Sequence, residues 1–258
     1  MDKGVSTSGD WDDLGREFDA WRRIGRTATL WWRDDDAATV DPRLDALLEM
    51  TRGLPLALAV IPALADTSLA SRIASEPRVT ALQHGWKHAN HAPKGERAAE
   101  LGAHRPLDTV FDELGRGWQL LSKLLGPVAL PVLVPPWNRV ADSVTSRLSQ
   151  AGYRGLSTSG PRRSREVSPR VSLVNAHVDI INWRSRSFIG TTEAVRRLVG
   201  HLSARREDRV DADEPTGILT HHLCLDAESR IFLERLVAFT RAHPAVRWMP
   251  AGEAFATP

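Results

Sequence analysis

Four apolar runs in this chain break off abruptly into chemically rich residues, and the stretches between them carry helical spacing. Leu30-Trp31-Trp32 gives way to Arg33-Asp34-Asp35-Asp36, and residues 79–83 give way to His84-Gly85-Trp86-Lys87-His88-Ala89-Asn90-His91. Residues 129–134 end in Pro135-Pro136-Trp137-Asn138-Arg139, and residues 217–220 end in His221-His222. Further strands are expected at 54–62, 155–157, 171–174 and 177–181. Between the strands, Leu44, Leu47 and Leu48 follow Pro42 at helical spacing. Helices are expected over 42–52, 68–75, 107–125, 143–151, 192–206 and 227–243. Alternation of short apolar strands with helices specifies an α/β protein with parallel strands. Chemistry in such folds collects where strands end, and that is where this chain places its acids, imidazoles and prolines.

A length of 258 residues suits one large domain, and no internal repeat is visible. Residues 1–26 read as a polar, helix-prone extension ahead of a single domain over 27–258. The longest apolar run, 54–65, is twelve residues with two prolines, too short to cross a bilayer. The first residues lack an apolar signal core, so a cytoplasmic protein without a membrane span is expected. The single cysteine, Cys224, excludes an internal disulfide and a multi-cysteine metal site, and it fits a reducing compartment. Nucleic acid is not an expected partner. The 34 Lys+Arg nearly cancel the 32 Asp+Glu, and the basic clusters at 162–165 and 205–206 form no stripe interleaved with aromatics.

Three adjacent carboxylates repel one another unless a cation sits among them, so the triplet Asp34–Asp36 points either to a cation site or to a capped turn before the Pro42 helix. His84 and His88 are four apart, which on a helical turn brings both imidazoles to one face. Imidazole with carboxylate is a donor set for zinc and similar ions. His91 is then either a supporting group or simply exposed. Pro135-Pro136-Trp137 forms a rigid turn able to hold a backbone N–H and an indole against a ligand, or it is only a stiff loop. His221 and His222 point to opposite faces of a strand, so at most one enters a site. His177 and Asp179 share a strand face, as an orienting pair for a histidine or as interior lining.

These strand ends, in this order, resemble the polysaccharide deacetylase family with its NodB-type catalytic domain. The acidic triplet is similar to the family's first motif, and His84-Gly85-Trp86-Lys87-His88 is similar to H-[S/T]-x-x-H with Gly85 in the hydroxyl position. Val134-Pro135-Pro136-Trp137 resembles R-x-P-[aromatic] but has Val134 where the arginine belongs. Asp179-Ile180-Ile181-Asn182-Trp183 resembles D-x-x-D-W, and Leu219-Thr220-His221 resembles L-x-H. The resemblance runs over about residues 28–255.

It implies a distorted (β/α)7 barrel and metal-assisted hydrolysis of an N-acyl, chiefly N-acetyl, group on a sugar or related amide. The implied metal ligands are Asp36, His84 and His88, with Zn2+ first and Co2+, Ni2+ or Mn2+ as alternatives. Asp35 becomes the base, Asp34 and Asp35 being the other possible register for the base and ligand. His221 becomes the acid that protonates the amine, with Asp179 as its acidic partner. Pro136, Trp137 and Trp183 become substrate-binding residues, and a carbohydrate or small N-acylated compound becomes the partner. Arg33 or Arg139 is the candidate replacement for the missing arginine. Two other readings keep the barrel: a non-catalytic binder of carbohydrate or metal, and a hydrolase of a non-sugar C–N bond.

Overall fold

The computed structural model describes residues 7–256; the remaining parts of the expected extension and C-terminus lie outside the described residues. The strands that position the site are β1 (Ala28–Ala37), β2 (Leu56–Val60), β3 (Val79–His84), β4 (Ala129–Val134), β5 (Gly155–Leu156), β6 (Val171–Leu173), β7 (Val178–Asp179) and β8 (Thr216–Thr220). They pair side by side, all parallel, in the order β6-β5-β4-β3-β2-β1-β8-β7. The two ends of this order, β6 and β7, are consecutive pieces of one stretch separated by only residues 174–177. The Ala176 N–H donates to the Thr158 carbonyl at 3.0 Å, and the His177 N–H donates to the Gly217 carbonyl at 2.7 Å. One short segment therefore joins both edges of the sheet, and the expected barrel is realised in distorted form. Glu166–Ser168 adds an antiparallel edge to β6, and Val246–Trp248 pairs with the start of β1.

The helices are α1 (Thr7–Arg23), α2 (Pro42–Met50), α3 (Thr67–Ala74), α4 (Leu107–Leu125), α5 (Asp142–Thr145), α6 (Thr191–Arg206), α7 (Ala227–Ala242) and α8 (Ala251–Ala254). Asp41 caps α2, its carboxylate accepting from the Arg43 and Leu44 amides at 2.8 Å each, with Pro42 in the first turn, where no amide is needed. The cap is Asp41, so the acidic triplet is free for other work. Strand alternation sends Leu30 and Trp32 outward into the main core with the helices, while Trp31 turns inward with Ala57, Ala59, Leu82, Val132 and Val134. Trp11, Leu14, Phe18 and Trp21 of α1 join that main core, so the first helix is packed on the barrel wall. Among the described residues no helix is long and apolar enough to cross a membrane.

Candidate metal centre and active site

The expected β1 ended at Trp32, but the strand continues through the acids to Ala37 because Arg33 and Asp34 pair with both β2 and β8. Alternation then gives neighbouring residues opposite fates. Arg33 and Asp35 turn inward. The Arg33 Nε donates to Asp35 Oδ1 at 2.8 Å and its Nη2 to Asp35 Oδ2 at 3.0 Å. The other donors reach Ser157 Oγ at 2.6 Å, the Thr158 carbonyl at 3.1 Å and Asn138 Oδ1 at 2.6 Å. The guanidinium is wholly buried, and each of its N–H groups has an oxygen, the condition under which a buried ion pair is tolerated. Arg33 thus supplies the cation that Val134 does not. Arg139 instead donates to the Ala98 carbonyl at 2.7 Å.

Asp34 faces the other way. Trp32 Nε1 donates to Thr220 Oγ1 at 2.9 Å, Thr220 Oγ1 donates to Asp34 Oδ2 at 2.6 Å, and His222 Nδ1 lies 2.5 Å from Asp34 Oδ1. Burial weakens proton binding at His222, but the Asp34 charge outweighs it and raises the imidazole above its ordinary pKa. Asp34 is therefore held within the wall. Beyond it the β1–β2 register slips, and Asp36 takes a φ of 71°, a bulge that re-aims a side chain at a strand end. Asp35 and Asp36 are the members of the triplet that face the cleft.

The two histidines meet Asp36 without the expected helical turn. His84 ends β3 and His88 lies in the loop after it, where Gly85 and His88 both have φ of 56°. Glu100 shapes this loop: fully buried, it accepts from the amides of Trp86 at 3.0 Å, Lys87 at 2.9 Å and Ala89 at 3.2 Å. A Cβ on Gly85 would stand 2.0 Å from Glu100 Oε2 and 2.7 Å from Pro136 Cδ, which explains glycine at the hydroxyl position. Sequence reading passes over Glu100, because it lies in a polar stretch without periodicity. His91 is not among the residues that line the cleft.

The donor chemistry fits a divalent ion. Asp36 Oδ1 is 3.2 Å from His84 Nε2 and 3.3 Å from His88 Nε2. Two ligands on one zinc at tetrahedral geometry stand roughly 3.3 Å apart. His84 Nδ1 lies 3.0 Å from the Val134 carbonyl, so this nitrogen carries the proton and Nε2 of the neutral ring presents a lone pair to Asp36. Asp36 Oδ1 is buried without a hydrogen-bond partner. Two facing acceptors and an orphaned carboxylate oxygen are the pattern a cation resolves. Burial opposes ionisation of Asp36, yet the surrounding imidazoles outweigh this and hold it far below the usual carboxylate range. Burial above all pushes His88 down toward the neutral form a ligand needs.

The cleft above these atoms encloses about 620 Å3 and is lined by Trp137, Asn138, Arg139, Asp179, Trp183, Arg186 and His221 as well as the acids and imidazoles. Trp137 has φ of 56° and lies 4.3 Å from the His88 ring. Pro136 is buried against Gly85 and does not line the cleft, so its part is to fix the turn that presents Trp137. His221 Nε2 stands 4.0 Å from Asp35 Oδ2. Asp179 does not bond His221: it accepts from Trp183 Nε1 at 2.7 Å and from the Ile181 amide at 3.0 Å, and the indole meets His221 edge-on at 4.5 Å. His177 is not Asp179's partner either, and lies with Glu214 at the opposite end of the strands, 3.2 Å from its carboxylate.

No family model matches the sequence, and no curated protein matches it. Solved structures do. A protein assigned as a polysaccharide deacetylase from Mycobacterium smegmatis superposes with TM-score 0.62 at 19% identity, over 88% of this chain and 87% of that one. A family 4 acetyl xylan esterase from Clostridium thermocellum, solved with a cobalt ion, gives 0.56 at 10% identity over 88% and 90%. The peptidoglycan deacetylase PdaC from Bacillus subtilis gives 0.54 at 13% over 88% and 90%. The chain has the fold of the polysaccharide deacetylases.

Proposed function

We propose that this protein is a metal-dependent hydrolase that removes an acyl group, acetyl foremost, from the nitrogen of an amino sugar. One observation carries the proposal: a carboxylate clamped by a buried guanidinium lies beside an Asp-His-His donor set and across from His221, all in one cleft. Asp36, His84 and His88 would hold the ion, and two imidazoles with a carboxylate suit Zn2+ first, with Co2+, Ni2+ or Mn2+ also accommodated. When bound, the ion supplies Lewis-acid polarisation of the acyl oxygen and eases deprotonation of water.

The chain's own residues do the rest. Asp35 takes a proton from the attacking water as the C–O bond forms. Arg33 keeps the Asp35 carboxylate in one orientation, so the accepting oxygen needs no reorganisation. His221 gives its proton to the departing nitrogen as the C–N bond breaks, leaving acetate and a free amine. Trp137 and Trp183 offer flat walls for a sugar ring. The Arg33 clamp favours turnover over the reading of a barrel that only binds, because the cation that reading supposes lost is supplied from another strand.

The test is acetate release from N-acetylated chitooligosaccharides by the zinc-loaded protein and its Asp35→Asn variant. Loss of roughly 10²–10⁴-fold with metal content unchanged is expected for removal of a general base. Undiminished release from the variant contradicts the assignment.

A further inference from the structure

The charged groups facing the cleft are unevenly satisfied. The carboxylates there are accounted for: Asp35 has the Arg33 fork, Asp179 the Trp183 indole and the Ile181 amide, and Asp36 belongs with His84 and His88 to the metal donor set. The two guanidiniums that line the same cleft, Arg139 and Arg186, have no carboxylate within ion-pair distance among the described residues. Arg139 is half-buried and oriented by a neutral acceptor, the Ala98 carbonyl at 2.7 Å, which leaves most of its fork free. Arg186 sits on the turn between Ile181–Asn182 and Ser187–Phe188, at φ of 53°. That backbone conformation favours glycine or asparagine. A guanidinium free at the lip of a concave site is a receptor for a planar or tetrahedral anion.

Building on the hydrolase reading above, we infer that the substrate is an anionic N-acylated amino sugar, carrying a carboxylate or phosphate that Arg139 and Arg186 engage while the amide lies at Asp35 and His221. A neutral sugar would leave both guanidiniums without an ion-pair partner. A negatively charged substituent would complete them, and a charge-assisted bond of this kind separates charged from uncharged ligands by about tenfold or more.

The experiment compares N-acetylglucosamine, N-acetylglucosamine 6-phosphate and N-acetylglucosaminuronic acid on the zinc-loaded protein. It measures kcat/KM for acetate release, and calorimetric affinity in the Asp35→Asn background. An advantage of about tenfold for one charged sugar is expected, weakening as salt rises. It should be lost in Arg139→Gln or Arg186→Gln and partly kept in the matching lysine variants. Arg184→Gln, on the same turn but outside the cleft lining, should leave it intact. Preference for the phosphate or the carboxylate names the class. Equal hydrolysis of charged and neutral sugars, indifferent to both arginines, overturns this inference and leaves the hydrolase reading standing. Arginine-dependent binding of a charged sugar without hydrolysis by the wild type supports the inference and defeats the hydrolase reading instead.

Discussion

Among the described residues the barrel carries two groups of two histidines and one acid, at opposite ends of its strands, and they are chemically unlike. Asp36, His84 and His88 form one; His177, His201 and Glu214 form the other, and in each the potential ligand atoms lie within 4.8 Å of one another. Proton placement separates them. In the first, His84 Nδ1 faces a carbonyl and must donate, so Nε2 is left as a donor atom for metal. In the second, His177 Nδ1 accepts from the Gly217 amide at 2.8 Å. The neutral ring therefore carries its proton on Nε2, 3.2 Å from Glu214 Oε2, and that nitrogen has no lone pair for an ion. Glu214 is already engaged by the Arg162 and Asn175 amides at 2.9 Å each, and the Arg205 guanidinium, 3.1 Å from Thr216 Oγ1, lies beside His201. Both groups bring two imidazoles and a carboxylate within the same distance of one another, so it is the backbone group met by Nδ1 that decides which one can bind a cation.

The largest effect expected is at the first group. Replacing His84 or Asp36 by alanine should lower acetate release on the order of a thousandfold, the several kcal/mol that Lewis-acid assistance supplies, whereas His177→Gln should leave kcat/KM within a few-fold of the wild type. A kinetic loss of similar size in His177→Gln would break the distinction.

Next in size is the clamp beside the first group. Arg33→Met leaves Asp35 as a buried, unpaired carboxylate and should cost about 3–5 kcal/mol of stability by denaturant unfolding. Arg33→Lys should recover part of that while activity stays low, because a point charge cannot reproduce the fork. A fully active, fully stable Arg33→Met variant would remove the clamp from the account.

The smallest effect lies in the second group and is read through pH. Burial above all pulls His201 down to about 2, and burial also lowers His177. Both rings take up protons on unfolding once the pH falls below their ordinary value near 6.5, so the unfolded state binds more protons there. Stability should decline as the pH drops through and below that value, by about 1.4 kcal/mol per pH unit for each such ring. His201→Gln should flatten the decline by about one ring's share. An unchanged slope in that variant would contradict the neutral, dry character given to this group.

Much of the site was legible because the strand ends were. Helix α4 and strand β4 fall on the expected residues, and the Asp-His-His set was drawn from sequence spacing and resemblance together. The hidden parts depend on partners distant in sequence. The Arg33–Asp35 clamp follows from alternation along β1, but only a strand longer than the apolar run reveals it. The His84–His88 spacing suggested a helical turn, whereas Glu100 and two left-handed residues build a loop with the same outcome. Residues 143–151 read as a helix but helical structure stops at Thr145, in a segment rich in serine, which competes with the backbone for hydrogen bonds. The second triad is invisible in sequence because the tautomer that closes it is set by the backbone amide of Gly217.

Elemental analysis of zinc-loaded protein after exhaustive dialysis, run on the wild type, His84→Ala and His177→Gln, locates the ion. One ion per chain is expected in the wild type, little or none in His84→Ala, and one in His177→Gln. Full metal content in His84→Ala, or a loss confined to His177→Gln, would place the ion elsewhere and contradict a site at Asp36, His84 and His88.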